Sequence, residues 1–169
     1  MNSPQICEKT LFEEASGEIF AKSGVTKICF VCTGNTCRSP MAAALYNYLT
    51  QKKDTYAVSM GLYPVPGDHI SDNAVKALES RGIESNPHNP YKEHTARAVC
   101  ESVLCGCDRI IGMTESHTLE LIARFPALAL KIYSMPSSVS DPYGKSEEAY
   151  RSCLLEIEKG IRELFGIEA

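Results

Sequence analysis

The chain has 169 residues, 44% hydrophobic and 22% charged, and 17 Lys and Arg against 21 Asp and Glu give a formal net charge of −4. This length suits one domain, and the composition excludes a disordered, collagen-like or coiled-coil chain. The negative charge gives no overall basic field, so we expect neither nucleic acid nor a membrane as a partner. No membrane span and no signal-peptide pattern is visible, so we expect a cytoplasmic protein.

From Lys27 onward the sequence predicts alternating strands and helices. The apolar run Lys27–Cys32 is typical of a strand in a buried parallel sheet. Ser39 suits the N-cap, and Pro40 the first position, of the helix that follows. Further strands are predicted at Thr55–Ser59, Arg109–Met113 and Leu130–Ser134. Residues 1–26 are expected to form an extension of uncertain structure in front of one domain, residues 27–169.

Four more helices are predicted, with starts near Ser71, Glu93, Thr114 and Ser146, and the one that starts near Glu93 runs to Leu104. The last of them carries a clear 3.6-residue apolar pattern. Alternation of this kind favours an α/β fold, a four-stranded parallel sheet with helices on both faces. Ligands of such sheets bind beyond the carboxyl ends of the strands, so the loops that follow the strands are the candidate site.

The loop after the first strand, with the sequence CTGNTCRSP, carries residues suited to chemistry on an anion. Cys32 faces the N-terminus of the next helix, which favours the thiolate form of a cysteine. Gly34 lets the backbone curl so that successive N–H groups point inward, and Asn35 suits a left-handed backbone position. The Arg38 guanidinium can bind a tetrahedral oxyanion through two hydrogen bonds. Ser39 can donate its hydroxyl to the thiolate.

On these residues the chain resembles the low-molecular-weight protein-tyrosine-phosphatase family, over about residues 27–166. Three further segments match: Ser59-x-Gly61, Met113-Thr114 and Asp141-Pro142-Tyr143-Gly144. The resemblance implies that Cys32 forms a phosphocysteine intermediate, and that Asp141 acts as general acid and then as general base. It implies no metal and no cofactor. The phosphate-binding residues that it implies are Thr33, Gly34, Asn35, Thr36, Cys37 and Arg38.

The resemblance also assigns supporting and substrate-binding roles. The supporting residues are Ser39, Ser59 and His88. The expected lining of the substrate cleft is Thr36, Tyr63 and Tyr143. Under the resemblance His88 is the family's structural histidine, with a solvent-exposed loop histidine as the alternative. Cys37 matches the family's cysteine that forms a reversible disulfide with Cys32 on oxidation.

Three functions other than phosphotyrosine hydrolysis are compatible with a loop of this kind. Protein-arginine phosphatases belong to the same family and carry Thr where most tyrosine-specific members carry an aliphatic residue, and this chain has Thr36. Arsenate reductases have a similar loop but need cysteines after the third strand, and residues 113–117 contain none. A non-catalytic phosphate-binding module would be expected to lose Cys32, Arg38 or Asp141, and all three are present, which counts against this alternative. We therefore expect a phosphorylated protein as substrate and inorganic phosphate as product. The phosphorylated side chain can be either phosphotyrosine or phosphoarginine.

Overall fold

The computed structural model describes residues 26–51 and 54–168, which form a four-stranded parallel sheet between two layers of helices. The strands are β1 Thr26–Cys32, β2 Thr55–Gly61, β3 Arg109–Gly112 and β4 Ile132–Ser134. They lie in the order β2-β1-β3-β4, and every neighbouring pair is parallel. In the central strand, Cys29 pairs with Val58 on one side and with Ile110 on the other. The predicted fold class is confirmed.

Helices cover both faces of this sheet. They are α1 Arg38–Thr50, α2 Asp72–Ser80, α3 Glu101–Cys105, α4 Glu115–Arg124 and α5 Glu147–Phe165, with 3-10 turns at Tyr91–Glu93 and Pro126–Lys131. One face of β1 presents Phe30 to a core that includes Leu45 of α1 and Leu154 of α5. The other face presents Val31 to a core that includes Leu121 of α4. Successive β1 residues thus serve opposite layers, as the period of two in a strand requires.

Two of the predicted helix starts carry a side-chain cap. The side chain of Thr114 accepts a hydrogen bond from the backbone N–H of His117, and that of Ser146 accepts one from Ala149. Each hydroxyl satisfies one of the N–H groups that the first turn of a helix leaves without an internal partner.

The predicted start of α1 is two residues too late. The helix begins at Arg38 with Cys37 as N-cap, so Ser39 and Pro40 lie inside its first turn. Ser39 does not cap the helix because its hydroxyl contacts the sulfur of Cys32 instead, at 3.0 Å.

The helix predicted from Glu93 to Leu104 is also wrong, because only its last part, α3, is helical. Before α3 the chain runs along the free edge of β2. Gly61 and Ala98 form a parallel bridge there, in which the Gly61 N–H donates to the Arg97 carbonyl at 2.8 Å. Backbone pairing with the sheet edge overrides the helical spacing of this segment.

Among residues 26–51 and 54–168, no helix is both long enough and apolar enough to cross a membrane. Residues 1–25, and with them almost all of the expected N-terminal extension, lie outside the described residues.

Candidate active site

The loop between β1 and α1 curls around the sulfur of Cys32. Cys32 is the last residue of β1, α1 begins at Arg38, and the Cys32 side chain is 2% exposed. The backbone N–H of Asn35 donates to Cys32 Sγ at 3.3 Å, and Ser39 Oγ lies 3.0 Å from the same sulfur. The Asn35 N–H is a donor to the sulfur, and the Ser39 hydroxyl can donate either to the sulfur or to the Met60 carbonyl at 3.3 Å. Donors of this kind stabilise a thiolate. We call residues 32–39 the phosphate loop.

Asn35 fixes the shape of this loop through hydrogen bonds to three parts of the chain. It is fully buried and has a left-handed backbone, with φ of 56°. Its Nδ2 donates to Ser39 Oγ at 2.9 Å and to Ser59 Oγ at 3.0 Å. Its Oδ1 accepts from the Arg97 N–H at 3.0 Å, and its carbonyl accepts from His94 Nε2 at 2.8 Å. The structure thus brings Ser39 and Ser59 to the loop, and every polar group of this side chain has a partner.

His94, rather than His88, contacts the Asn35 carbonyl of the phosphate loop, so the expectation for His88 is wrong. The His88 side chain is exposed, and only its backbone N–H is engaged, by Asn86 Oδ1 at 2.9 Å. A carbonyl can only accept, so His94 carries its proton on Nε2 when it bonds the Asn35 carbonyl. Burial lowers the pKa of His94 to about 4, which keeps the ring neutral at physiological pH. His94 was missed because its segment was predicted to be helical.

A carboxylate from a distant loop reaches the phosphate loop. Asp141, in the segment after β4, accepts a hydrogen bond from Arg38 Nη2 at 2.9 Å. The Arg38 side chain is 8% exposed and that of Asp141 is 54% exposed, so the acid lies at the open side of the arginine. Asp141 Oδ1 also accepts the Tyr143 N–H at 3.1 Å, which orients the carboxylate. Cys32, Arg38 and Asp141 therefore belong to one site at the carboxyl end of the sheet.

Cys37 is bound on the helix side of the loop by a tyrosine that the sequence analysis did not single out. Its Sγ lies 3.2 Å from the hydroxyl of Tyr150 in α5, and Ser71 Oγ donates to the same hydroxyl at 3.1 Å. Burial raises the pKa of Cys37, and burial together with the Cys37 contact raises that of Tyr150 to about 12. Cys37 is thus held as a thiol. The one signal for Tyr150 was a tyrosine on the apolar face of α5, where a buried hydroxyl needs a partner.

The three residues expected to line the substrate cleft belong to three different loops, which follow β1, β2 and β4. Tyr63 is 64% exposed, its N–H donates to the Thr33 carbonyl at 2.9 Å, and its hydroxyl donates to Glu120 Oε1 at 2.5 Å. Tyr143 is 74% exposed and follows Asp141 by two residues. Thr36 is half-buried in the phosphate loop. The Arg124 guanidinium lies over the Tyr63 ring, 4.5 Å from its centroid, so one face of that ring is covered. Of the three residues, Thr36 is the one that belongs to the phosphate loop.

No group of three or more His, Cys, Asp or Glu side chains suited to a metal ion occurs among the residues that the structure describes. The site combines a buried cysteine in a curled loop, an arginine of the same loop and a carboxylate that contacts this arginine. This combination is typical of a cysteine-dependent phosphatase. The family model for low molecular weight phosphotyrosine protein phosphatase matches residues 27–169, and the chain belongs to this family.

Relatives and solved structures agree with this assignment. Proteins named protein-arginine-phosphatase are 30% identical in Bacillus subtilis (strain 168) and 34% identical in Geobacillus stearothermophilus, over 81% and 82% of this chain and 93% of each relative. A low molecular weight protein tyrosine phosphatase from T. tengcongensis superimposes with a TM-score of 0.76 and 33% identity, covering 83% of this chain and 98% of that one. An arginine phosphatase structure from Geobacillus stearothermophilus gives a TM-score of 0.74 and 31% identity, covering 82% and 90%.

Proposed function

We propose that this protein hydrolyses phosphorylated side chains of proteins through a phosphocysteine intermediate on Cys32. The observation that carries the proposal is the environment of the Cys32 sulfur, which has a backbone N–H at 3.3 Å and a hydroxyl at 3.0 Å inside a curled loop. Arg38 and the loop N–H groups from Thr33 to Arg38 bind the phosphoryl oxygens, because they supply donors on the concave side of the loop.

In the first step the Cys32 thiolate attacks phosphorus and forms the P–S bond. The bond from phosphorus to the leaving oxygen or nitrogen breaks, and its electron pair stays with the leaving group. The carboxyl group of Asp141 gives its proton to that atom, so the leaving group departs neutral. Substrate oxygens take over the donors of Arg38, which frees Asp141 from the contact seen at 2.9 Å.

In the second step water attacks the phosphorus of the phosphocysteine. The Asp141 carboxylate takes a proton from that water, the P–S bond breaks, and its electron pair returns to the Cys32 sulfur. Inorganic phosphate leaves, and the protonated acid and the thiolate are restored for the next cycle.

Thr36 favours phosphoarginine as the first candidate substrate. Its hydroxyl lies inside the phosphate loop, and its described hydrogen-bond partner is the weak acceptor Cys37 Sγ, at 3.6 Å. The hydroxyl oxygen can therefore accept a hydrogen bond from a guanidinium N–H. The two relatives named as protein-arginine phosphatases support the same choice.

Phosphotyrosine is the second candidate, because Tyr143 presents an exposed aromatic ring two residues after Asp141, on which a phenol ring can stack. The deciding experiment compares kcat/KM on peptides that differ only in carrying phosphoarginine or phosphotyrosine. A higher value for phosphoarginine supports the first candidate, and a higher value for phosphotyrosine replaces it with the second. No hydrolysis of either peptide, nor of p-nitrophenyl phosphate, would overturn the proposed activity itself.

Thr36→Ile is expected to weaken hydrolysis of phosphoarginine relative to phosphotyrosine by roughly 5- to 150-fold in kcat/KM. This range corresponds to the cost of about 1–3 kcal/mol for a polar group that loses its partner in a desolvated site. Thr36→Val is the matched control for the hydroxyl, because it keeps the branched shape. Both variants should hydrolyse p-nitrophenyl phosphate nearly as wild type does. An unchanged ratio between the two peptides in both variants would make Thr36 a packing residue.

Mild peroxide is expected to inactivate the enzyme reversibly through a disulfide between Cys32 and Cys37. Peroxide oxidises the Cys32 thiolate to a sulfenic acid, and the Cys37 sulfur then displaces water to form the S–S bond. Both cysteines are free thiols in the same loop. Dithiothreitol should restore activity, and Cys37→Ser should make the loss harder to reverse, because the sulfenic acid can oxidise further. The control is Cys105→Ser, at an exposed free thiol outside the site, which should be inactivated and restored as wild type is. Peptide mapping that pairs Cys32 with another cysteine would contradict the prediction.

A further inference from the structure

His117 is a buried imidazole beside the phosphate loop for which the proposed chemistry has no use. It lies in the first turn of α4 and is 6% exposed. Its Nε2 is 2.9 Å from Thr33 Oγ1, and its Nδ1 is 2.9 Å from Thr114 Oγ1. The ring therefore connects the N-cap of a helix to the residue that follows the nucleophile.

The neutral His117 ring can bond both threonines at once. Burial lowers the pKa of His117 to about 4, so the ring is neutral and has one donor and one acceptor nitrogen. Thr114 Oγ1 accepts the His117 backbone N–H at 3.3 Å, and a hydroxyl can donate to or accept from either ring nitrogen. In either tautomer, one ring nitrogen bonds Thr33 Oγ1 and the other bonds Thr114 Oγ1.

Thr33 is held from two directions. Its carbonyl accepts the Tyr63 N–H at 2.9 Å, and the Cys32 carbonyl accepts the Leu62 N–H at 2.9 Å, so the chain after β2 holds the backbone. Within the described part of the chain, His117 is the partner that holds the Thr33 side chain.

We propose that His117 is a positioning residue that fixes the side chain of Thr33 and thereby the direction of the Thr33 and Gly34 N–H groups that bind phosphate. The inference rests on the proposed function, because it concerns phosphate binding in that same loop. A group fixed in advance binds an anion without a further loss of conformational freedom, so release of Thr33 weakens the binding of phosphate.

The test measures inhibition by inorganic phosphate and the melting temperature for five variants. His117→Asn keeps a polar group near the Nδ1 position and removes the one at Nε2, whereas His117→Gln reaches the Nε2 position. Thr33→Val removes the hydroxyl at nearly constant shape, and the double variant His117→Asn/Thr33→Val completes the cycle. Thr118→Val is the matched control, because the Thr118 hydroxyl donates to the Thr114 and Tyr133 carbonyls, away from the loop.

We expect His117→Asn to raise the inhibition constant of phosphate about 3- to 10-fold, in line with the loss of one hydrogen bond. His117→Gln should return it to within about 2-fold of wild type, and the double variant should be no weaker than Thr33→Val alone. Thr118→Val should lower the melting temperature and leave the inhibition constant unchanged.

Two results would overturn the role of His117. In one, the double variant raises the inhibition constant by the product of the increases in His117→Asn and Thr33→Val. In the other, Thr118→Val raises the inhibition constant as much as His117→Asn does. Turnover of p-nitrophenyl phosphate by the wild-type protein separates this from the proposed function. If the wild-type protein turns over p-nitrophenyl phosphate but the variants give either of these results, only the inference about His117 is contradicted. Absence of wild-type turnover contradicts the proposed function.

Discussion

Cys32→Ser is expected to abolish the turnover of p-nitrophenyl phosphate while the fold remains intact. A serine hydroxyl keeps its proton at neutral pH, so the site loses its nucleophile, although Asn35 and Ser39 can still donate to the new oxygen. The substituted side chain is buried and nearly isosteric, so packing around it changes little. The measurement is steady-state hydrolysis together with thermal unfolding of the same sample.

The control for this substitution is Cys153→Ser, which makes the same change at another buried cysteine. Cys153 lies in α5, and its thiol donates to the Ser140 carbonyl, a bond that a hydroxyl can also make. Cys153→Ser should hydrolyse the substrate as wild type does. If Cys32→Ser kept more than a trace of activity in a preparation free of other phosphatases, Cys32 would not be the nucleophile.

Asp141→Asn is expected to lower kcat by roughly 10²–10⁴ on substrates with poor leaving groups, such as phosphopeptides. An amide cannot give a proton to the departing atom, so the leaving group must depart as an anion. The loss should be smaller on p-nitrophenyl phosphate, whose leaving group is stable without a proton. The measurement is kcat for both substrate types in the variant and the wild type.

Glu147→Gln is the matched control, since it neutralises an exposed carboxylate that pairs with Arg151 on the surface of α5. It should leave kcat unchanged on both substrates. Equal losses on the phosphopeptide and on p-nitrophenyl phosphate in Asp141→Asn would remove Asp141 from the role of acid.

Local sequence patterns predicted most of the fold. The apolar run of β1 indicated a strand in a buried parallel sheet, and Thr114 and Ser146 marked two helix starts that the structure confirms. The segment before α3 could not be predicted in this way, because its conformation depends on pairing with Gly61 of β2 and on the contact of His94 with Asn35. Neither partner is visible in the segment's own spacing.

The same distinction applies to the candidate site. Cys32 and Arg38 could be identified because one short loop contains both. The residues that hold this loop from outside were missed, because they lie far away along the chain. His94 bonds a residue 59 positions before it, His117 one 84 positions before it, and Tyr150 one 113 positions before it. Only the fold brings these side chains to the loop.

The central claim is that the phosphoryl group passes through Cys32. The most direct measurement is mass spectrometry of peptides from enzyme that was mixed with p-nitrophenyl phosphate and quenched in acid during turnover. We expect a phosphorylated peptide that contains Cys32, with the phosphate on sulfur, in the wild-type enzyme during turnover. Phosphate on another residue, or active turnover in which Cys32 is never phosphorylated, would contradict the account.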